Sequence, residues 1–137
     1  MLQHGFGEGP ESWFESSDMG RILPVWLAKN GYDVWVGTSR GTSYPEYSDH
    51  TEFDVWFNPE QFWNFTIDSM AEFDVPAMLD YIFQETPATN VSYIGHNIGA
   101  SSLLKAMEKG TLNKQIDTIT ILQPCFAPKF GIYNITD

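Results

Sequence analysis

The sequence predicts an α/β fold: a mostly parallel sheet with helices on both faces. Three observations carry this. Strand-like runs alternate with helix-like runs along the whole 137-residue chain. Each pair of successive strand runs is separated by a helical pattern, as a crossover between parallel strands requires. Two glycine turns, "HGFGEG" and "GHNIG", close the carboxyl ends of strand runs, where such folds bind their ligands.

"MLQHG" reads as the end of a strand meeting a glycine loop. Ser17 or Asp18 is placed to cap a helix reaching about Lys29, with Ile22, Val25, Trp26 and Leu27 on its apolar side and Asn30-Gly31 as its stop. "YDVWVG" (Tyr32–Gly37) reads as a short strand. A long loop runs from about Thr38 to Asn64, broken by Pro45 and Pro59 and crowded with aromatics. A loop of this length is usually functional or packed. Thr66 can cap a second helix with apolar Met70, Phe73, Ala77, Leu79, Tyr81 and Ile82, and Pro76 within it predicts a kink. Strand "VSYIG", helix Ile98–Lys109, a turn at Gly110 and strand Ile116–Leu122 complete the chain's periodic part.

Composition narrows the function. Hydrophobic residues make up 42% and aromatics 15%, enough for one real core. No apolar run approaches the roughly 18 residues of a membrane span. The net charge is -11. Residues 1–85 hold 15 of the 18 acids and three of the seven bases, and the remainder holds three acids and four bases. That balance argues against nucleic acid and anionic membranes, and most of it reads as solubility charge. Cys125 is the single cysteine, so no internal disulfide forms, and its apolar setting predicts a buried, inert thiol. No His/Cys/Asp cluster has ligand spacing, and neither a metal nor a cofactor is expected. Sequons at Asn64, Asn90 and Asn134 exceed the chance count of about one and point to the secretory pathway and glycosylation. Against this, "MLQHGFGEGPESW" lacks the basic and apolar regions of a signal peptide.

Two stretches compete as a nucleophile elbow. "GTSRG" (Gly37–Gly41) spells G-x-S-x-G with Ser39 at its centre, but the adjoining "TSYPEYSDH" cannot be a helix. It reads as a tight turn whose Arg40 pairs with a carboxylate, Asp68 or Asp74. "GHNIG" has the right setting, a strand before and a helix after. Gly95 and Gly99 leave room for a sharp turn, and Asn97 at its centre tolerates positive φ. A neutral carboxamide nevertheless has no proton to lose near pH 7. Ser101 and Ser102 lie a turn into the helix and are expected to pack or bond to backbone. The histidines are His4, His50 and His96, and none comes after Asn97, although an elbow triad takes its acid and histidine from later in the chain. His96 is expected to be structural.

"LQHG", "SW", "LAKNGYDVWVGTSRG", "FW-F", "MAEFDVPAMLDYI" and "YIGHNIG" stand in the order and spacing of the acid lipases, the gastric and lysosomal lipase family of α/β hydrolases, and the chain resembles that family from Leu2 to about Pro128. The resemblance implies a partial α/β-hydrolase core with strand order "YDVWV", "MLQ", "VSYIG", "IDTITIL". It puts Asn97 at the position of the family's serine in "GHSQG", and the oxyanion donors at the backbone N–H groups of Phe6 and Ile98. It matches "GTSRG" to the family's "GNSRG", which makes Ser39 a decoy. It also implies one partial domain over residues 1–137, without the family's first strands, its cap and the region of its triad acid and histidine. Secretory or lysosomal localisation is what the family suggests.

The expected function is a lipase-like domain inactive in this form, a binding or structural component of a larger chain or assembly. The alternative is a fragment or variant of a triacylglycerol or cholesteryl ester lipase. A remote third reading deamidates Asn97 to an aspartate nucleophile. Sheet edges bearing Trp35, Val36, Ile119 and Ile121 are expected to be covered by the rest of the polypeptide or by a protein partner, and lipid is a possible ligand class.

Overall fold

The computed structural model describes residues 1–42, 51–112 and 116–125. Pro45, His50 and the Asn134 sequon lie outside the described residues. Four parallel strands form one sheet in the order β2-β1-β3-β4: β1 is Leu2–Gln3, β2 Val36–Gly37, β3 Val91–His96 and β4 Ile116–Leu122. This is the order and direction that the resemblance implies.

The strand expected over Tyr32–Gly37 is shorter, two residues rather than six. A strand is only as long as its partner, and β1 offers Leu2 and Gln3 alone for pairing. The first helix also starts late. Asp18 does cap, accepting the Gly20 N–H at 2.9 Å, but it caps a single 3-10 turn, Met19–Arg21. The α-helix proper, α1, is Leu23–Lys29, with Pro24 in its first turn. Proline has no N–H to donate and constrains the residue before it, so a helix is readily begun there and not readily continued through it.

Within the long loop, Pro59–Phe62 forms a short helix, α2. Thr66 caps α3 (Ile67–Ser69) through a capping box with Ser69. A π-helical stretch, Met70–Asp74, then leads into α4 (Val75–Glu85). The expected irregularity at Pro76 therefore takes the form of a widened turn just before it, which absorbs the missing N–H. Helix α5 is Ile98–Lys109, closed by Gly110 at φ 68.

Burial alternates along β3: Val91, Tyr93 and Gly95 face the core, and Ser92, Ile94 and His96 the other side. The core joins Val91 and Tyr93 to Ala71, Val75, Leu79 and Ile82 of the second helical run and to Leu103 and Ala106 of α5. Tyr93 is fully buried, its hydroxyl donating to the Gly99 carbonyl at 3.1 Å, and burial pushes its pKa far up. A groove of about 490 Å³ also separates the sheet from Leu27 and Tyr32.

Candidate functional site

The site is built where β3 turns into α5. Gly95 has no room for a side chain: a Cβ there would lie 2.6 Å from Ala100 Cα. Strand and helix thus meet backbone to backbone, and the turn between them is sharp. Asn97, at the helix N-cap, carries the strain at φ 48, ψ -114. Its N–H donates to the Leu122 carbonyl at 2.8 Å, which fixes the turn to the end of β4. Ser101 ties α5 to the chain just past β4: its hydroxyl donates to the Cys125 carbonyl at 2.8 Å and accepts the Cys125 N–H at 2.9 Å. Ser102 donates to the Gly99 carbonyl at 3.2 Å. Both serines serve the backbone. Cys125 is half-buried rather than buried, because it sits beyond the end of β4, where the strand leaves the sheet.

The loop after β1 lies against this elbow. A Cβ on Gly99 would meet the His4 carbonyl oxygen at 2.6 Å and the Gln3 carbonyl oxygen at 2.8 Å, so the end of β1 touches the start of α5. Glu8 closes the other side. Its carboxylate accepts the Gly5 N–H at 2.8 Å and lies 3.2 Å from His96 Nδ1. Burial pushes the Glu8 pKa up, but the Gly5 N–H and His96 outweigh it and hold the carboxyl below its usual range. Phe6 is exposed between these anchors, and Ile98 is buried as the first residue of α5. The Glu8–His96 pair joins residues 88 apart, and sequence reasoning misses it. Its only signal is an acid inside an otherwise glycine-rich turn.

Ser39 is buried and held on both sides: Gln3 Nε2 donates to its hydroxyl, and its own N–H donates to His4 Nε2 at 3.2 Å. His4 Nδ1 lies 2.8 Å from the Gly5 carbonyl. With Nε2 accepting, the imidazole is neutral with its proton on Nδ1. Burial pushes the His4 pKa below its usual value, opposed by the bond to the Gly5 carbonyl. Between the lowered folded pKa and the unfolded value near 6.5, the unfolded chain binds more protons. Stability is therefore full above pH 6.5 and falls as pH drops through the folded pKa; Glu8 adds a loss of the same sign at lower pH. The thermal midpoint is expected to fall between pH 7.5 and pH 5, and a flat profile would show that His4 is not held neutral.

Arg40 pairs with Asp74, one of its two expected partners; Asp68 instead meets Lys109 at 3.1 Å and Lys105 at 3.8 Å. Of the sequons, Asn64 and Asn90 are placed by the structure, and both are exposed. Among the described residues no group of His, Cys, Asp and Glu is arranged to hold a metal ion.

No family profile matches the chain. Individual proteins do. A probable lipase of Schizosaccharomyces pombe is 36% identical over 129 residues, covering 92% of this chain and 28% of that protein. Gastric triacylglycerol lipase of Rattus norvegicus is 33% identical over 132 residues, 94% of this chain and 32% of the relative. The Homo sapiens gastric triacylglycerol lipase is 32% identical over 133 residues, 95% and 32% respectively. The chain thus spans about a third of the length of the curated relatives it matches. With the strand–elbow–helix unit and the parallel sheet in place, these matches over nearly the whole chain make it a homologue of the acid lipases and its fold that of an α/β hydrolase.

Proposed function

We propose that this lipase-like domain, one part of a hydrolase fold over residues 1–137, is catalytically silent as it stands and serves as a binding or structural component. The observation that carries the reading is Asn97. It sits at the turn where an elbow holds its nucleophile, with the backbone angles of an elbow residue and a carboxamide in place of a hydroxyl. Nearby bases are committed: His4 is buried between Gly5 and Ser39, and His96 faces Glu8. Support for a covering partner comes from the edges. Among the described residues β2 and β4 are each paired on one side only, and Ile121 and Leu122 of β4 are exposed.

A second reading, a segment of a lipid ester hydrolase, is favoured by the names of the relatives and by the retained elbow. One set of assays separates the two. The purified chain and Asn97→Ser are offered short-chain and long-chain p-nitrophenyl esters, and their mass in solution is taken by light scattering. Neither protein is expected to turn over, since loss of a triad leaves only about 10³–10⁴-fold catalysis over water. Turnover by Asn97→Ser alone would favour the hydrolase reading, and turnover by the unaltered chain would end the silent one. A monomer with cooperative unfolding would remove the partner argument.

A further inference from the structure

We propose that Glu8 is an acid-released latch that closes the turn Gly5–Glu8 onto the elbow at His96. The third residue of the turn, Gly7, has φ 68, and a Cβ on it would meet nothing within 4 Å, so the tip stands in open space. The turn's own backbone closes it weakly, the Glu8 N–H reaching the Gly5 carbonyl at 3.4 Å. That carbonyl is also held from the β1 side, by His4 Nδ1 at 2.8 Å. The Glu8 side chain adds the link to the elbow. One oxygen, Oε2, accepts the Gly5 N–H at 2.8 Å and meets His96 Nδ1 at 3.2 Å. It thereby joins the turn to the last residue of β3, 88 positions away. The three groups fit closely: a Cβ on Gly5 would lie 2.9 Å from Glu8 Oε2 and 2.9 Å from His96 Nδ1.

Protonation opens it. A carboxylate oxygen accepts both N–H groups at once, and bonds to a charged acceptor are roughly twice as strong as those between neutral groups. A protonated carboxyl loses that charge and carries a hydrogen that the Gly5 N–H cannot accept. The titratable groups around Glu8 are His96 from β3, His4 from β1 and, acting on His4, Glu11 from the 3-10 turn Pro10–Phe14. Burial disfavours the ionised Glu8, while the Gly5 N–H and both histidines favour it and prevail. The latch is therefore closed at and above the ordinary carboxylate range and opens as pH falls through the lowered value. The side chains of Glu8 and His96 are 34% and 30% exposed, so a proton reaches the pair without unfolding. Opening releases the turn from His96 while β3 and α5 stay packed. The latch does not depend on whether Asn97 leaves the elbow silent.

The test is an NMR titration of the purified chain from about pH 7 to about pH 3, across the carboxylate range. The Gly5 amide proton and the Glu8 carboxyl carbon should move with one midpoint, below the ordinary glutamate value. Below it, protection of the Gly5 amide against hydrogen exchange should fall at least about tenfold, as expected for losing a bond to a charged group. The amides of Tyr93 and Leu103, in the core, should keep their protection, which separates release of the turn from unfolding. Glu8→Gln keeps the size and an acceptor oxygen but cannot titrate, and Gly5 should then show no step. Gly5→Ala wedges Glu8 from His96 with both side chains intact, and should bring the Glu8 midpoint up towards the ordinary value. Separate midpoints for Gly5 and Glu8, or a Gly5 step that survives Glu8→Gln, would overturn the proposal. So would loss of core protection in step with Gly5, or an unmoved Glu8 midpoint in Gly5→Ala.

Discussion

Asp74→Ala is expected to cost about 3–5 kcal/mol of folding stability, the range for removing one partner of a buried ion pair. The pair merits that range because it is nearly closed to water: the Arg40 and Asp74 side chains are 12% and 10% exposed. Asp74 accepts the backbone N–H of Arg40 at 3.1 Å, and Arg40 Nε lies 2.8 Å and 3.0 Å from its two oxygens, while Nη2 meets Oδ1 as well. The guanidinium lies 5.8 Å from the Phe73 ring centroid and 5.9 Å from that of Phe65. Removing the carboxylate leaves a cation among rings with two kinds of donor unmet, and the penalty is that of an uncompensated charge rather than of one lost bond. Asp74→Asn keeps an acceptor for the Arg40 N–H and should cost less. Stability of a domain this size is about 5–15 kcal/mol, so the alanine variant should shift urea unfolding by a large part of its range. A cost under about 1 kcal/mol would place the pair with exposed surface bridges.

The same pair marks a boundary of sequence reasoning. A glycine-bounded arginine in a turn calls for a carboxylate, and Asp68 and Asp74 both lie within the next helical run. Choosing between them requires the π-helical stretch Met70–Asp74, which changes the angular position of everything after it. That stretch reflects Pro76, but a proline signals an irregularity without stating its form. Local punctuation is enough to place α5 and β4 to the residue, since Gly110 ends the helix and the β-branched run 116–122 has a clear period. Strand β2 reads too long in the sequence because its length depends on a partner 34 residues earlier, Leu2 against Val36. In the candidate site, the elbow is legible from Gly95, Asn97 and Gly99, a contiguous motif with steric meaning. Glu8 against His96 and His4 against Ser39 are not, because polar pairs far apart in sequence leave no periodic trace.

Gly95→Ala and Gly99→Ala are expected to be strongly damaging single methyl additions among the described glycines. The neighbours decide it. An added Cβ at Gly95 would meet Ala100 Cα at 2.6 Å, Ala100 N at 2.7 Å and the Gly99 carbonyl carbon at 2.9 Å, all backbone atoms of the turn itself. At Gly99 it would meet Gln3 Cγ at 2.6 Å and the carbonyl oxygens of His4 and Gln3 at 2.6 Å and 2.8 Å. None of these backbone atoms can rotate aside as a flexible side chain would. Relief requires α5 to move off β3 in the first case and off β1 in the second, opening the contact between the end of β1 and the start of α5. Overpacking of a close-packed interior costs about 1–3 kcal/mol and occasionally more, and rigid neighbours place both variants at or above the upper end. Gly110→Ala is the informative control. Gly110 has φ 68 with nothing near its would-be Cβ, so it carries only the left-handed backbone penalty of about 1–2 kcal/mol. Chemical denaturation should therefore rank Gly95→Ala and Gly99→Ala well below Gly110→Ala in stability. Equal losses at all three would mean that backbone conformation, and not the close approach of strand and helix, is what the two elbow glycines supply.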